Sequence, residues 1–174
     1  KAFSASWDAA RRKADGIRES IDGNTHKVVR ISDVPTLGQH DVLVILVDFS
    51  DISFSDNAGT PDPSGYYDRF FHEEGFSDFG ATGSAHDYYY HGSCGLYDPR
   101  FRVFGPVKLN GTHADYAGDG GTKLTDRLIE EAVRLANEQY DVNFKDFDTD
   151  GDGKVDNVYC IYAGYGQADS DVSD

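Results

Sequence analysis

The residues with the clearest chemistry are alternating aspartates near the end of the chain. Asp148, Asp150 and Asp152 are followed by a glycine, and Asp156 completes the pattern D-x-D-x-D-G-x-x-D. Calcium takes about six to eight oxygen ligands, and carboxylates at the first, third and fifth positions of a tightly wound loop converge on one ion. The pattern therefore predicts a calcium site formed by the four aspartates and by the backbone carbonyl of Lys154 at the seventh position.

The predicted loop differs from a full EF-hand at its end. The twelfth position, where an EF-hand has a bidentate glutamate, is Tyr159, and an apolar strand-like segment follows instead of a helix. We therefore expect a structural calcium loop that fixes the start of the last strand, not a calcium sensor. The alternative is an acidic turn without metal, but four neighbouring aspartates would repel one another without a cation.

A histidine and two glutamates resemble a zinc motif only in part. The segment His72-Glu73-Glu74-Gly75-Phe76 begins like His-Glu-x-x-His, but its fifth residue is not histidine. That zinc site requires two histidines on one helix face, and a glycine favours a helix end at this point. We interpret the segment as a helix C-terminus and identify no catalytic residue and no substrate-binding residue. The other histidines are interpreted as surface or hydrogen-bonded side chains.

The composition limits the class of protein. The 174 residues include 31 acidic and 16 basic side chains, which gives a formal net charge of −15. This charge disfavours nucleic-acid binding, and no apolar run reaches the roughly 18 residues that span a membrane. The acidic excess fits a secreted protein that tolerates calcium. With Cys94 and Cys160 as the only cysteines, a disulfide and two free thiols both stay open.

The hydrophobic pattern predicts an α/β fold, with a mixed β-sheet and backing helices. Val42–Val47 is a continuous apolar run, which is typical of a strand buried on both faces at the centre of a sheet. Ser84, with Asp87 three residues later, has the pattern of a helix N-terminal cap. Helices are predicted over residues 5–21, 66–74, 85–90 and 122–139, and strands over 26–31, 101–109, where Gly105-Pro106 interrupts the alternation, and 155–163.

Several segments, taken in order, resemble the immune inhibitor A type metalloproteases, the peptidase M6 family. They are Val42–Asp51 as a first strand, Gly83–Tyr89 and Ser93–Gly95 as a helix segment, Arg102–Val107 as a strand, Asp148–Asp156 as a calcium loop and Ala163–Gly166 after the last strand. The resemblance implies a zincin-like α+β domain of which this chain is the N-terminal part. Residues 1–37 would then be an N-terminal extension or propeptide remnant, and residues 38–174 an N-terminal subdomain.

The resemblance also implies an activity, that of a secreted or cell-surface zinc endopeptidase acting on proteins or peptides. In that family zinc activates a water molecule, and a glutamate on the His-Glu-x-x-His helix is the general base. This motif is absent from the sequence. Zinc is therefore expected only for the complete domain, with the remainder of the catalytic domain as a partner, and the chain is expected to be an excised piece. The alternative is a calcium-stabilised, non-catalytic binding or adhesion module, or a degenerate peptidase relative.

Overall fold

A computed structural model describes residues 37–56, 61–116 and 122–164, apart from the side chains of residues 122–125, and the backbone of residues 17–22 and 25–30. Strands β1 (Ile17–Asp22) and β2 (Thr25–Arg30) form an antiparallel pair. The strand predicted over residues 26–31 is confirmed. The helix predicted over residues 5–21 is wrong from residue 17 onward, because these residues form β1 and their backbone groups bond to β2. Residues 5–16 lie outside the described part of the chain.

The main sheet consists of three parallel strands, β3 (Gly38–Asp48), β4 (Tyr97–Lys108) and β5 (Val158–Tyr162), in the order β4-β3-β5. As the sequence predicts, β3 is the central strand, and each residue of Val42–Val47 is at most 4% exposed. Parallel strands require crossover connections, which the helices provide here. The α/β class is confirmed, and the described strands of this sheet are all parallel where a mixed sheet was expected.

Within the described residues, four α-helices connect the strands: α1 (Pro63–His72), α2 (Ala85–Gly92), α3 (His113–Tyr116) and α4 (Thr122–Tyr140). The described connections between the strands also contain three short 3-10 helices, Phe54–Asp56, Asp78–Gly80 and Phe144–Phe147. The predicted cap of α2 is confirmed: Ser84 Oγ accepts a bond of 3.1 Å from Asp87 N, and Asp87 Oδ2 accepts one of 3.0 Å from Ser84 N. No helix in the described residues is long and apolar enough to cross a membrane.

Strand β4 begins earlier than the sequence indicates, at Tyr97 and not at Phe101. The strand predicted over residues 101–109, with its alternation interrupted at Gly105-Pro106, is confirmed, and it runs through both of these residues. Gly105 has φ +110°, and a Cβ atom at this position would lie 2.5 Å from the carbonyl oxygen of Leu46 on β3. The glycine therefore permits the close approach of the two strands instead of ending one of them.

The alternating side chains of β3 divide the interior into two cores. The first core contains Leu43, Ile45 and Val47 and packs against α4 through residues such as Ala132 and Ala136. The second core contains the three alternate residues, Val42, Val44 and Leu46, and packs against α1 and α2. Because successive strand residues point to opposite faces, the sheet separates these two cores completely along β3.

Candidate metal centre

The aspartate-rich loop is anchored at both ends. It begins after the 3-10 helix Phe144–Phe147, whose last residue is 1% exposed and belongs to the first core. The backbone N–H of Asp156 donates a 2.9 Å bond to the carbonyl of Phe147, which closes the base of the loop. Strand β5 then begins at Val158. A cation bound in this loop would therefore be linked directly to the core and to the start of β5.

A cationic side chain on β4 supports the same segment. The Nη1 atom of Arg102 lies 2.8 Å from Asp146 Oδ2 and 3.7 Å from Asp41 Oδ2. Its guanidinium carbon lies 5.4 Å from the centre of the Phe147 ring. The arginine therefore joins the residues that precede the loop to β4 and to the central strand, in addition to the apolar packing.

Three of the predicted ligands converge. One carboxylate oxygen from each of Asp148, Asp150 and Asp152 lies within 4.8 Å of the other two. Two oxygens bound to one calcium ion at about 2.4 Å can be at most about 4.8 Å apart, so these three could share one ion. Asp148 is half-buried, and the other two are exposed. The arrangement fits a hard cation held near the surface.

The shape of the loop depends on Asp148 and on two glycines. Asp148 Oδ1 accepts bonds from the backbone N–H groups of Gly151, at 2.7 Å, and Asp152, at 3.0 Å, and its Oδ2 accepts one from Gly153 at 2.9 Å. Gly151 and Gly153 have φ values of +76° and +87°. Neither glycine has a neighbour within 4 Å of the Cβ position, so the left-handed backbone and not lack of space favours glycine here.

The other two predicted ligands are not part of this triplet. Asp156 Oδ2 accepts a 2.8 Å bond from Thr149 N. Lys154 donates to Asp152 twice, from its backbone N–H to Oδ1 at 2.8 Å and from Nζ to Oδ2 at 3.1 Å. The bond from the Lys154 side chain, followed by the backbone bond, lowers the pKa of Asp152 below its ordinary value. The lysine ammonium thus neutralises part of the charge that a bound divalent cation would neutralise.

The described histidines do not assemble a zinc site. Helix α1 ends at His72, and Gly75 has φ +70°, which agrees with the interpretation of this segment as a helix C-terminus. The two ring nitrogens of His72 lie 2.9 Å from the carbonyl oxygen of Asp68 and 2.6 Å from that of Phe101. Within residues 37–56, 61–116 and 126–164, the aspartate triplet is the one group of three or more possible ligands close enough to share an ion. The described residues therefore do not fit the zinc that the resemblance to the M6 family implies.

Comparison with known protein families identifies the family of this chain. Residues 29–169 match the model of the immune inhibitor A peptidase M6 catalytic domain. The chain belongs to the peptidase M6 family. No curated protein matches it. The family predicted from the sequence segments is confirmed. Membership supports a metallopeptidase-type function, which is that of a hydrolase, and implies a protein or peptide substrate.

The two cysteines of the M6 domain are free thiols in different surroundings. Cys94 is exposed in the turn after α2, and Cys160 is partly buried on β5. Burial raises the pKa of the Cys160 thiol to about 11. The structure therefore corresponds to the free-thiol alternative of the sequence analysis, with one exposed and one partly buried cysteine.

Sequence reasoning missed a pocket beside helix α1. It is lined by residues from α1 and from the 3-10 helix Asp78–Gly80, including Tyr66 and Phe79. The two segments are separated in sequence and share no motif spacing. The one available signal is the density of aromatic residues in this region, which equally indicates core packing.

Proposed function

We propose that this M6 domain is the N-terminal part of the catalytic domain of a secreted zinc-dependent endopeptidase, stabilised by a calcium ion in loop 148–156. The family match over residues 29–169 is the observation that supports the proposal most strongly. The α/β sheet with a buried central strand provides the rigid support that a catalytic domain needs. The zinc ligands of the complete enzyme would lie outside the described residues.

The calcium part of the proposal depends on the convergence of the aspartate triplet. Asp148, Asp150 and Asp152 would each provide one oxygen, and the carbonyl of Lys154 and the carboxylate of Asp156 would complete the shell, the latter directly or through water. The ion would offset the mutual repulsion of the carboxylates. Because the loop joins Phe147 of the first core to β5, its role would be to hold the sheet together.

The parent gene provides the sharpest test of the peptidase proposal. The roughly 60 codons that follow the present segment should encode His-Glu-x-x-His in a helical context. The parent protein should then cleave an unfolded protein substrate and lose this activity when a zinc chelator is added at constant calcium concentration. A longer parent chain without the motif would instead indicate a non-catalytic, calcium-stabilised binding or adhesion module.

Metal analysis of the 174-residue chain tests the assignment of the two metals. After dialysis against both ions, we expect about one calcium per chain and no stoichiometric zinc, because the described ligands are carboxylate oxygens and not imidazoles. One zinc per chain would contradict our interpretation of the histidines. Absence of bound calcium would contradict the proposed loop.

A further inference from the structure

The pocket beside helix α1 lies between the first turns of that helix and the 3-10 helix Asp78–Gly80, and its volume is about 540 Å³. This volume is within the range of about 300–1,000 Å³ found for small-molecule sites. Its walls combine two aromatic rings, Tyr66 and Phe79, with the charged side chains Asp62, Arg69 and Asp78. The pocket is separate from the aspartate loop, which packs against the first core, whereas α1 packs against the second.

Phe79 is exposed to an unusual degree for its type. Its side chain is 84% exposed, and its backbone has φ +53°, in the left-handed region that is unfavourable for a non-glycine residue. The ring contacts Tyr66 at a centroid distance of 6.2 Å and an interplanar angle of 63°, and its high exposure leaves most of the ring surface accessible to a ligand. A large apolar ring that combines exposure with backbone strain points to a binding role, because folding alone does not favour it.

The charged side chains of the pocket differ in whether a partner of opposite charge lies beside them. Arg69 binds Glu73 at 2.5 Å through Nε and Asp78 at 3.1 Å through Nη1, so its guanidinium is already neutralised. Asp62 Oδ1 accepts a 3.1 Å bond from Gly65 N at the start of α1, but within the described residues Asp62 has no ion pair. The pocket therefore has an uncompensated carboxylate beside an exposed aromatic face.

We propose that this pocket binds the cationic side chain of an arginine or lysine in a polypeptide. The open face of Phe79 would stack on the cation, Tyr66 would support that ring, and the Asp62 carboxylate would form the ion pair. Anionic ligands are disfavoured by Asp62, and by a chain with formal net charge −15. The inference rests on the proposed function in that it names a feature of the peptidase substrate, although binding itself needs no hydrolysis.

The test is a titration of the 174-residue chain with the peptide acetyl-Gly-Arg-Gly-amide, followed by amide chemical shifts. The matched ligand contains citrulline, which has the shape of arginine without its charge. Asp62→Asn removes the charge and keeps a good helix cap, and Phe79→Ala removes the ring. Each variant should weaken binding of the arginine peptide about threefold to fivefold, as expected for an exposed cation–π contact or ion pair. Tyr88→Ala is the control, because Tyr88 is 75% exposed on α2 and does not line the pocket.

An amide spectrum that is unchanged away from the substituted residue would show that each variant folds, so that loss of binding is not loss of structure. Equal affinity for the arginine and citrulline peptides would overturn the proposal. So would wild-type affinity in both Asp62→Asn and Phe79→Ala, or binding of a neutral disaccharide by the same residues without binding of the arginine peptide. Because no arm measures cleavage, failure here is distinguishable from failure of the proposed peptidase function.

Discussion

The aspartate triplet permits a test in which one substitution has opposite effects in calcium and in chelator. Asp150→Asn keeps an oxygen that can accept the 3.1 Å bond from Asp152 N but removes one negative charge. Without a cation, carboxylate oxygens within 4.8 Å of one another repel, so the variant should melt at the same temperature as the parent or higher. In calcium, the variant has one ligand charge fewer than the parent, so its melting temperature should rise little when calcium is added.

The size of the calcium-dependent rise in melting temperature follows from the exposure of the loop. Two of the three converging aspartates are exposed, which places the site at the weak end of calcium affinities, with a dissociation constant of about 0.1 mM. About 1 mM calcium would then stabilise the folded chain by roughly 1.4 kcal/mol through linkage. For a chain of this size, that corresponds to a rise in melting temperature of about 3–6 °C. Asp150→Asn should lose most of this rise.

The assay is thermal unfolding of each protein in excess chelator and in millimolar calcium. Asp126→Asn on α4 is the matched control, since Asp126 is exposed and its substitution changes the net charge equally. Its calcium-dependent rise should equal that of the parent. The reasoning is refuted if the parent melts at the same temperature in both conditions, or if Asp150→Asn has the full rise.

Three further outcomes follow from other parts of the structure. Gly105→Ala should lower the unfolding free energy by about 3 kcal/mol in chemical denaturation, because its Cβ would lie 2.5 Å from the Leu46 oxygen; a loss below about 1 kcal/mol would contradict this close approach. Ser84→Ala should lower the unfolding free energy by about 0.5–2 kcal/mol in thermal unfolding, and Ser84→Gly by only a few tenths of a kcal/mol, as expected for the loss of a helix cap. Equal losses of unfolding free energy in the two variants would indicate that the cap is not the cause. Iodoacetamide near pH 8 should label Cys94 and spare Cys160, because burial raises the pKa of Cys160 to about 11 and the thiol stays protonated below that pH. Mass spectrometry measures the labelling, and equal rates would contradict it.

The central features of the fold could be predicted because they depend on local or strongly patterned residues. Val42–Val47 is apolar at every position, which only burial on both faces explains. The cap of α2 needs two residues, Ser84 and Asp87, at a fixed spacing. The aspartate loop is likewise local, so its convergence follows from spacing, whereas the bond between Asp156 and Thr149 does not.

The features that sequence reasoning missed depend on contacts between distant segments. Ile17 and Ile21 have helical spacing, but pairing with β2 outweighs this weak pattern. The sequence shows that Gly105 interrupts the alternation of a strand, but not that it lies directly against Leu46. Nothing in the sequence indicates that Phe79 points into solvent, because exposure and a positive φ are set by the surrounding structure.

The division of the interior by β3 has a consequence for how this domain can change. The proposed calcium loop rests on the first core and the proposed cation pocket on the second, with the buried segment Val42–Val47 of β3 between them. Substitutions in one site should therefore combine additively with those in the other. Specificity for a substrate side chain and dependence on calcium can then evolve independently, and only changes in the strand itself would alter both properties together.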